Sequence, residues 1–183
     1  MRQVMMAVLV IGLVGGVVGC AGPKPVFRVN AGADKEYTDA AGAKWSPDQE
    51  FTEGGKYGAI GGKAVRRTTV KIPEGTKAPE VYLTERYGKM TYRFAVPNGK
   101  YTVRLHFAET YDGIKAEGER VFSVKINGQP ALTDFDVLKA AGGFAKPIVK
   151  EFKGVQVADG KLLIEFAEKT QSPEVNGIEI LVE

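Results

Sequence analysis

The chain is poor in the residues from which most catalytic and metal sites are built. Its 183 residues include one cysteine, Cys20, one histidine, His106, and one tryptophan, Trp45. A lone histidine and a lone cysteine cannot assemble a metal site built on nitrogen and sulfur ligands. One cysteine also rules out an internal disulfide, so stability has to come from packing. There is no G-x-S-x-G elbow and no Asp-x-Asp-x-Asp loop, although carboxylates and backbone carbonyls leave a calcium site open. The Gly-rich stretch Gly54 to Gly62 lacks both dinucleotide spacing and the Lys-Ser/Thr ending of a phosphate loop, so no cofactor is expected. Arg66-Arg67 is the only pair of adjacent arginines, no basic run of five occurs, and the net charge is only +3, which argues against a nucleic-acid partner.

Long apolar runs are also absent, except at the start. Val4 to Val18 is almost wholly apolar or glycine and follows Arg2. It is too short for a typical spanning helix and fits the apolar core of a signal peptide. The run closes on Val17, Val18, Gly19 and Cys20, small residues before a cysteine that are similar to a bacterial lipobox. The expected organisation is a lipoprotein signal over 1–19, a lipid-bearing tether over 20–25 and a domain over 26–183. The alternative is an ordinary secretory signal with an incidental Cys20. A lipid on Cys20 would anchor the protein to a bacterial envelope membrane. Ala21 is not the Asp that retains such proteins at an inner membrane, which favours the outer one.

The rest of the chain reads as strands between turn residues. Tyr101, Val103, Leu105 and Phe107 alternate with Thr102, Arg104 and His106, and this period of two places four large apolar side chains on one sheet face. Phe122, Val124 and Ile126 alternate up to Asn127-Gly128, and Leu162, Ile164 and Phe166 follow Asp159-Gly160, both hairpin signals. Phe27, Val29, Tyr92, Phe94, Ile178 and Ile180 continue the pattern, and Val65 to Ile72 is a β-branched run. Only Asp136 to Ala141 has a helical character. About nine short strands without helical crossovers predict an all-β, antiparallel, jelly-roll-like sandwich with ligand loops at one edge. Gly54 to Gly62 is expected to be a loop at its tip.

Tyr101 and Tyr92 alternate with core residues and are expected inside, as is Trp45, while Tyr37 is open to either role. His106, mid-strand, is expected to pack or hydrogen-bond. Glu109, Thr110 and Tyr111 end a strand before a loop, and an exposed ring beside carboxylates suits a neutral, polyhydroxylated ligand.

Six segments in order and spacing strengthen that expectation: Val29 to Gly32, Tyr82 to Tyr87, Leu105 to Tyr111, Arg120 to Gly128, Asp134 to Asp136, and Asn176 to Ile180. Together they resemble a malectin or malectin-like domain over essentially all of Val26 to Glu183. The resemblance implies a sandwich that binds carbohydrate without chemistry, glucan-type oligosaccharide or polysaccharide in particular, and in bacteria such modules accompany glycoside hydrolases. It implies sugar contacts from Tyr57 in a Tyr-Gly loop, Tyr87 at the end of Thr-Glu-Arg-Tyr, and Tyr111 after Phe-Ala-Glu, with Glu109 beside them. Two positions depart from the animal form: Asp112 replaces an aromatic, and Gln171 replaces an acid, though both still hydrogen-bond hydroxyls. Two other functions stay open. One is an envelope lipoprotein that kept the fold for structural or protein interactions. The other is a small glycoside hydrolase using Glu85 and Glu109 as an acid–base pair, unless these glutamates pair with Arg86 or Arg120 instead.

Overall fold

The structure is a computed structural model, and it describes residues 24–183. The signal segment, Cys20 and the first part of the tether lie outside those residues. Lys24 and Pro25, expected in the tether, already belong to the first strand, because Lys24 pairs with Val182 at the other end of the chain.

Two antiparallel sheets face each other. The first runs in the order β1 (Lys24–Asn30), β12 (Gly177–Val182), β6 (Gly99–Phe107) and β9 (Ile148–Val157). The second is built around β5 (Thr84–Ala95), with β4 (Tyr57–Arg66) on one side. On its other side lie β10 (Lys161–Thr170), β7 (Val121–Ile126) and β8 (Gln129–Phe135), and the short β11 (Glu174–Val175) also pairs with β5. A ribbon of β2 (Tyr37–Thr38) and β3 (Lys44–Trp45), a 3-10 helix over Pro79–Leu83 and one short α-helix, α1 (Val137–Ala141), complete the regular elements of the described residues.

The expected alternation fills the space between the sheets. Tyr101, Val103, Leu105 and Phe107 are buried against Tyr92, Phe94, Phe122, Val124, Leu162 and Ile164, in one continuous cluster. Asn127 and Gly128 both take positive φ, 48° and 75°, as a tight turn between β7 and β8 requires. Asp136 caps α1 by accepting the Lys139 N–H at 3.0 Å.

Two expectations change. Gly54 to Gly62 is not all loop: β4 starts at Tyr57, and Gly61 and Gly62, at φ 80° and 73°, form a bulge in it. A Cβ on Gly61 would stand 2.9 Å from the Lys89 carbonyl oxygen, so the close approach of β5 requires glycine there. The β-branched run does not continue as strand to Ile72. β5 begins at Thr84, opposite Arg66, so the ladder has no partner beyond that point. The outer face of β6 is covered at its His106 end. Trp45, Tyr82 and Val81 form a second small cluster over it, and His106 sits beneath, 8% exposed. His106 bridges the Tyr82 hydroxyl at 2.8 Å and the Glu179 carboxylate at 3.0 Å, a hydrogen-bonding role.

Candidate functional site

The site begins where β5 runs past the end of β10. After Thr170 the chain leaves the ladder, turns at Gln171 with φ 60°, and returns to β5 at Glu174, which pairs with Tyr87. The Gly88 N–H donates to the Pro173 carbonyl and closes this excursion at 2.8 Å. Glu85 and Tyr87 share one face of β5 by the two-residue period, while Arg86 turns to the other face and pairs with Asp48 at 2.7 Å. The end of β4, the start of β5, the Gln171–Ser172 turn and the Tyr111 loop thus surround a cleft of about 230 Å3. Val65, Arg67, Glu85, Tyr87, Tyr111, Arg120, Gln171 and Ser172 line it.

The rim is aromatic and the floor is charged. Tyr111 is 38% exposed, and the Arg67 guanidinium lies 5.1 Å from its ring centre, within cation–π range. A Cβ on Gly113 would collide with the Tyr111 ring, so glycine allows the loop to fold against that side chain. Arg67 also donates to Glu85, whose second oxygen accepts the Thr110 hydroxyl at 2.8 Å. Arg120 donates to the Ser172 carbonyl at 2.7 Å and so fixes the turn that carries Gln171. Its Nε lies 2.8 Å from Glu109 Oε2, close enough to pair charges but off the N–H direction, so neither atom has a hydrogen bond.

Glu174 completes the floor. It is fully buried, and neither carboxylate oxygen has a hydrogen-bond partner. Burial, and then the charges of Glu85 and Glu109, push its acid well above the usual carboxylate range, so it is neutral while its neighbours pair. Burial also pushes Glu109 up, against the pull of Arg120 and the Tyr111 N–H. Among the described residues, every buried side-chain polar atom without a partner belongs to Arg67, Glu109, Arg120 or Glu174. Arg120 Nε and Glu109 Oε2 face each other as an ion pair, which leaves Arg67 Nε and the two Glu174 oxygens as the unpartnered polar atoms under the cleft, where folded chains rarely leave any.

The structure sorts the six sequence-derived site residues. It brings Tyr87, Tyr111 and Gln171 into the cleft. Glu109 lies beneath it, fully buried, accepting the Tyr111 N–H at 3.0 Å, so it positions the loop and is not open to a ligand. Tyr57 is not brought there. It pairs with Phe94 at the opposite end of the β4–β5 ladder, stacks on that ring at 6.2 Å, and donates its hydroxyl to the Pro47 carbonyl at 2.8 Å. Its ring seals the edge of the core. Asp112 does not line this cleft but a second one. Glu85 pairs with Arg67 rather than Arg86, and both Glu85 and Glu109 are held in buried ion pairs, unlike an acid–base pair facing a substrate. Arg67, Arg120 and Glu174 were not legible as site residues.

Residues 25–178 match the Malectin domain family. A probable receptor-like protein kinase of Arabidopsis thaliana is 34% identical over 158 residues, which is 74% of this chain and 17% of that protein. Malectin of Danio rerio is 30% identical over 123 residues, 64% of this chain and 39% of that protein. The chain spans under a fifth of the length of the first curated relatives it matches. Among solved structures, a Bacteroides uniformis β-glucuronidase superposes with a TM-score of 0.75 at 23% identity, over 86% of this chain and 18% of that one. The plant receptor-like kinase FER gives 0.73 at 24%, over 86% and 49%. At these identities the two structures share the fold.

Proposed function

Because the chain belongs to the malectin domain family, we propose that it is a non-catalytic carbohydrate-binding protein that seats a glucan-type oligosaccharide in the cleft between Tyr87 and Tyr111. The observation that carries this reading is the pairing of a two-tyrosine rim with a floor of fixed polar groups. A pyranose has apolar C–H faces and a rim of hydroxyls. Tyrosine offers a flat apolar face and a polar tip, and suits both. Arg67 and Gln171 supply polar groups already held by other bonds, to Glu85 and to the Ser172 N–H, so little freedom is lost on binding. Two rings and a few net hydrogen bonds, after association costs, correspond to a Kd of order 0.01–1 mM. Weak binding of this kind suits a surface module acting through avidity.

The test is titration calorimetry after a glycan array. Tyr87→Ala and Tyr111→Ala are each expected to weaken the best array ligand by about 3- to 10-fold, with the melting midpoint within a few degrees of the parent. Full binding by both variants overturns the tyrosine site. Absence of binding to every glycan favours the second reading, a protein-interaction role. That reading has a parallel in the fold neighbour FER, which was solved in complex with the plant peptide RALF23 and LLG2.

The proposed location is the bacterial envelope, with a lipid on Cys20, near glycoside hydrolases that act on the same polysaccharide. Supporting it are the apolar run and the small residues before Cys20. Cells fed radiolabelled palmitate are expected to label the protein, and Cys20→Ser is expected to abolish the label. Labelling that persists in the variant removes the anchor.

A further inference from the structure

Asp112, which fell outside the tyrosine cleft, lines a second and larger one of about 680 Å3. One wall is the loop carrying Asp112, Ile114, Lys115 and Glu117. The other is the end of α1 with Leu138 and the turn to Phe144. We propose that this second cleft continues the sugar site, and that Phe144 is the platform on which the further units of a linear glycan stack. The proposal rests on the carbohydrate reading above and adds to it the length of glycan recognised and the residue that reads it.

Three observations support it. The clefts are lined by successive residues of one loop: Tyr111 lines the first, and Asp112, the next residue, lines the second. The turn bearing Phe144 is also tied to the first cleft, since the Ala145 N–H donates to the Glu109 carbonyl at 2.8 Å, two residues before Tyr111.

The second cleft is preformed. The Glu119 carboxylate accepts the backbone N–H groups of Lys115 and Ala116 and braces the loop. Asp136 joins the two walls, accepting the Gly118 N–H with one oxygen and capping α1 with the other. Ile114, 4% exposed, plugs the loop into the body of the protein. Walls held this way lose little freedom when a ligand arrives.

Phe144 is held out of the core. It is 43% exposed, while Ala145 beside it is buried with a left-handed φ of 58°. An exposed ring bordered by Asp112, Lys115 and Glu117 repeats the aromatic-plus-polar lining of the tyrosine cleft. At about 230 Å3, the tyrosine cleft is smaller than the roughly 300–1,000 Å3 of ordinary small-ligand sites, so a longer chain must leave it. Asp112, next in the chain after Tyr111, lines the second cleft together with Phe144.

Calorimetry with linear gluco-oligosaccharides of two and six units, in α- and β-linked series, tests the proposal on the parent, Phe144→Ala, Phe144→Leu and Phe144→Trp. The Leu variant keeps apolar bulk without a ring, and the Trp variant restores a ring. The parent is expected to bind the six-unit sugar about 3- to 10-fold more tightly than the two-unit sugar. That advantage is expected to fall below about 2-fold in the Ala and Leu variants and to return with Trp, with two-unit affinity unchanged in all. Equal affinity of the parent for both lengths overturns the extension while leaving the tyrosine site intact. So does a length advantage that survives in Ala and Leu. If no member of either series binds, the glucan reading itself fails and the extension falls with it.

Discussion

Replacing Arg120 with Met is expected to lower the free energy of unfolding by about 3–5 kcal/mol. The Arg120 side chain is 4% exposed and faces Glu109, which is fully buried. Removing one partner of a buried pair leaves the other charge without compensation, which costs far more than the pair itself contributes. Here the stranded glutamate also faces Glu85 and the unpartnered Glu174, and neither supplies a cation. Arg67 is already engaged with Glu85. The substitution also frees the Ser172 carbonyl, which loosens the turn that places Gln171 at the cleft. Urea unfolding at neutral pH reads the loss, and a loss under about 1 kcal/mol contradicts a buried pair. The double variant Arg120→Met with Glu109→Gln is expected to recover part of it, because the stranded charge is then gone.

Glu174→Gln is expected to act in the opposite direction, by an amount that grows with pH. Glu174 is protonated when folded, and the unfolded chain releases that proton above about pH 4.3. A carboxyl whose pKa rises on folding binds more protons folded than unfolded, so its contribution is intact below the unfolded pKa and is lost as pH climbs towards the folded one. Glutamine keeps the shape of the neutral acid and cannot ionise in either state. The variant is therefore expected to gain on the parent by about 1.4 kcal/mol per pH unit, from about pH 4.3 upward for as long as the acid stays protonated. Glu179 runs the other way: buried but held low by His106 and Arg28, its stabilisation is lost on acidification, equally in parent and variant. Unfolding curves from pH 4 to 8 test the slope. A constant difference between parent and variant would show Glu174 to be ionised in the folded protein.

The pairing of Arg120 with a glutamate was legible as an option in the chain, whereas the importance of Glu174 was not, for a physical reason. The sandwich follows from alternation, since a run such as Tyr101 to Phe107 can bury its apolar face only as strand, and turn pairs such as Asn127-Gly128 set where strands end. The tyrosines could be narrowed by their neighbours but not resolved. Tyr57 and Tyr87 each precede a glycine, yet one stacks on Phe94 and the other lines the cleft. What separates them is position along the β4–β5 ladder, which depends on which residue pairs with which. The glycine-rich stretch misled in the same way, because Gly61 and Gly62 serve a bulge against β5 instead of a loop.

By itself the sequence determined the all-β architecture and most of the core, because these rest on local period and turn residues. The tertiary structure alone decided which residues meet. It brought Tyr87 from β5, Tyr111 from the loop after β6 and Gln171 from the excursion before β11 around one cleft, and set Arg67, Arg120 and Glu174 beneath it. It also set Asp112 on a second cleft, which Phe144 lines as well. Contacts between residues far apart in the chain depend on strand register and loop paths, and no local pattern encodes them.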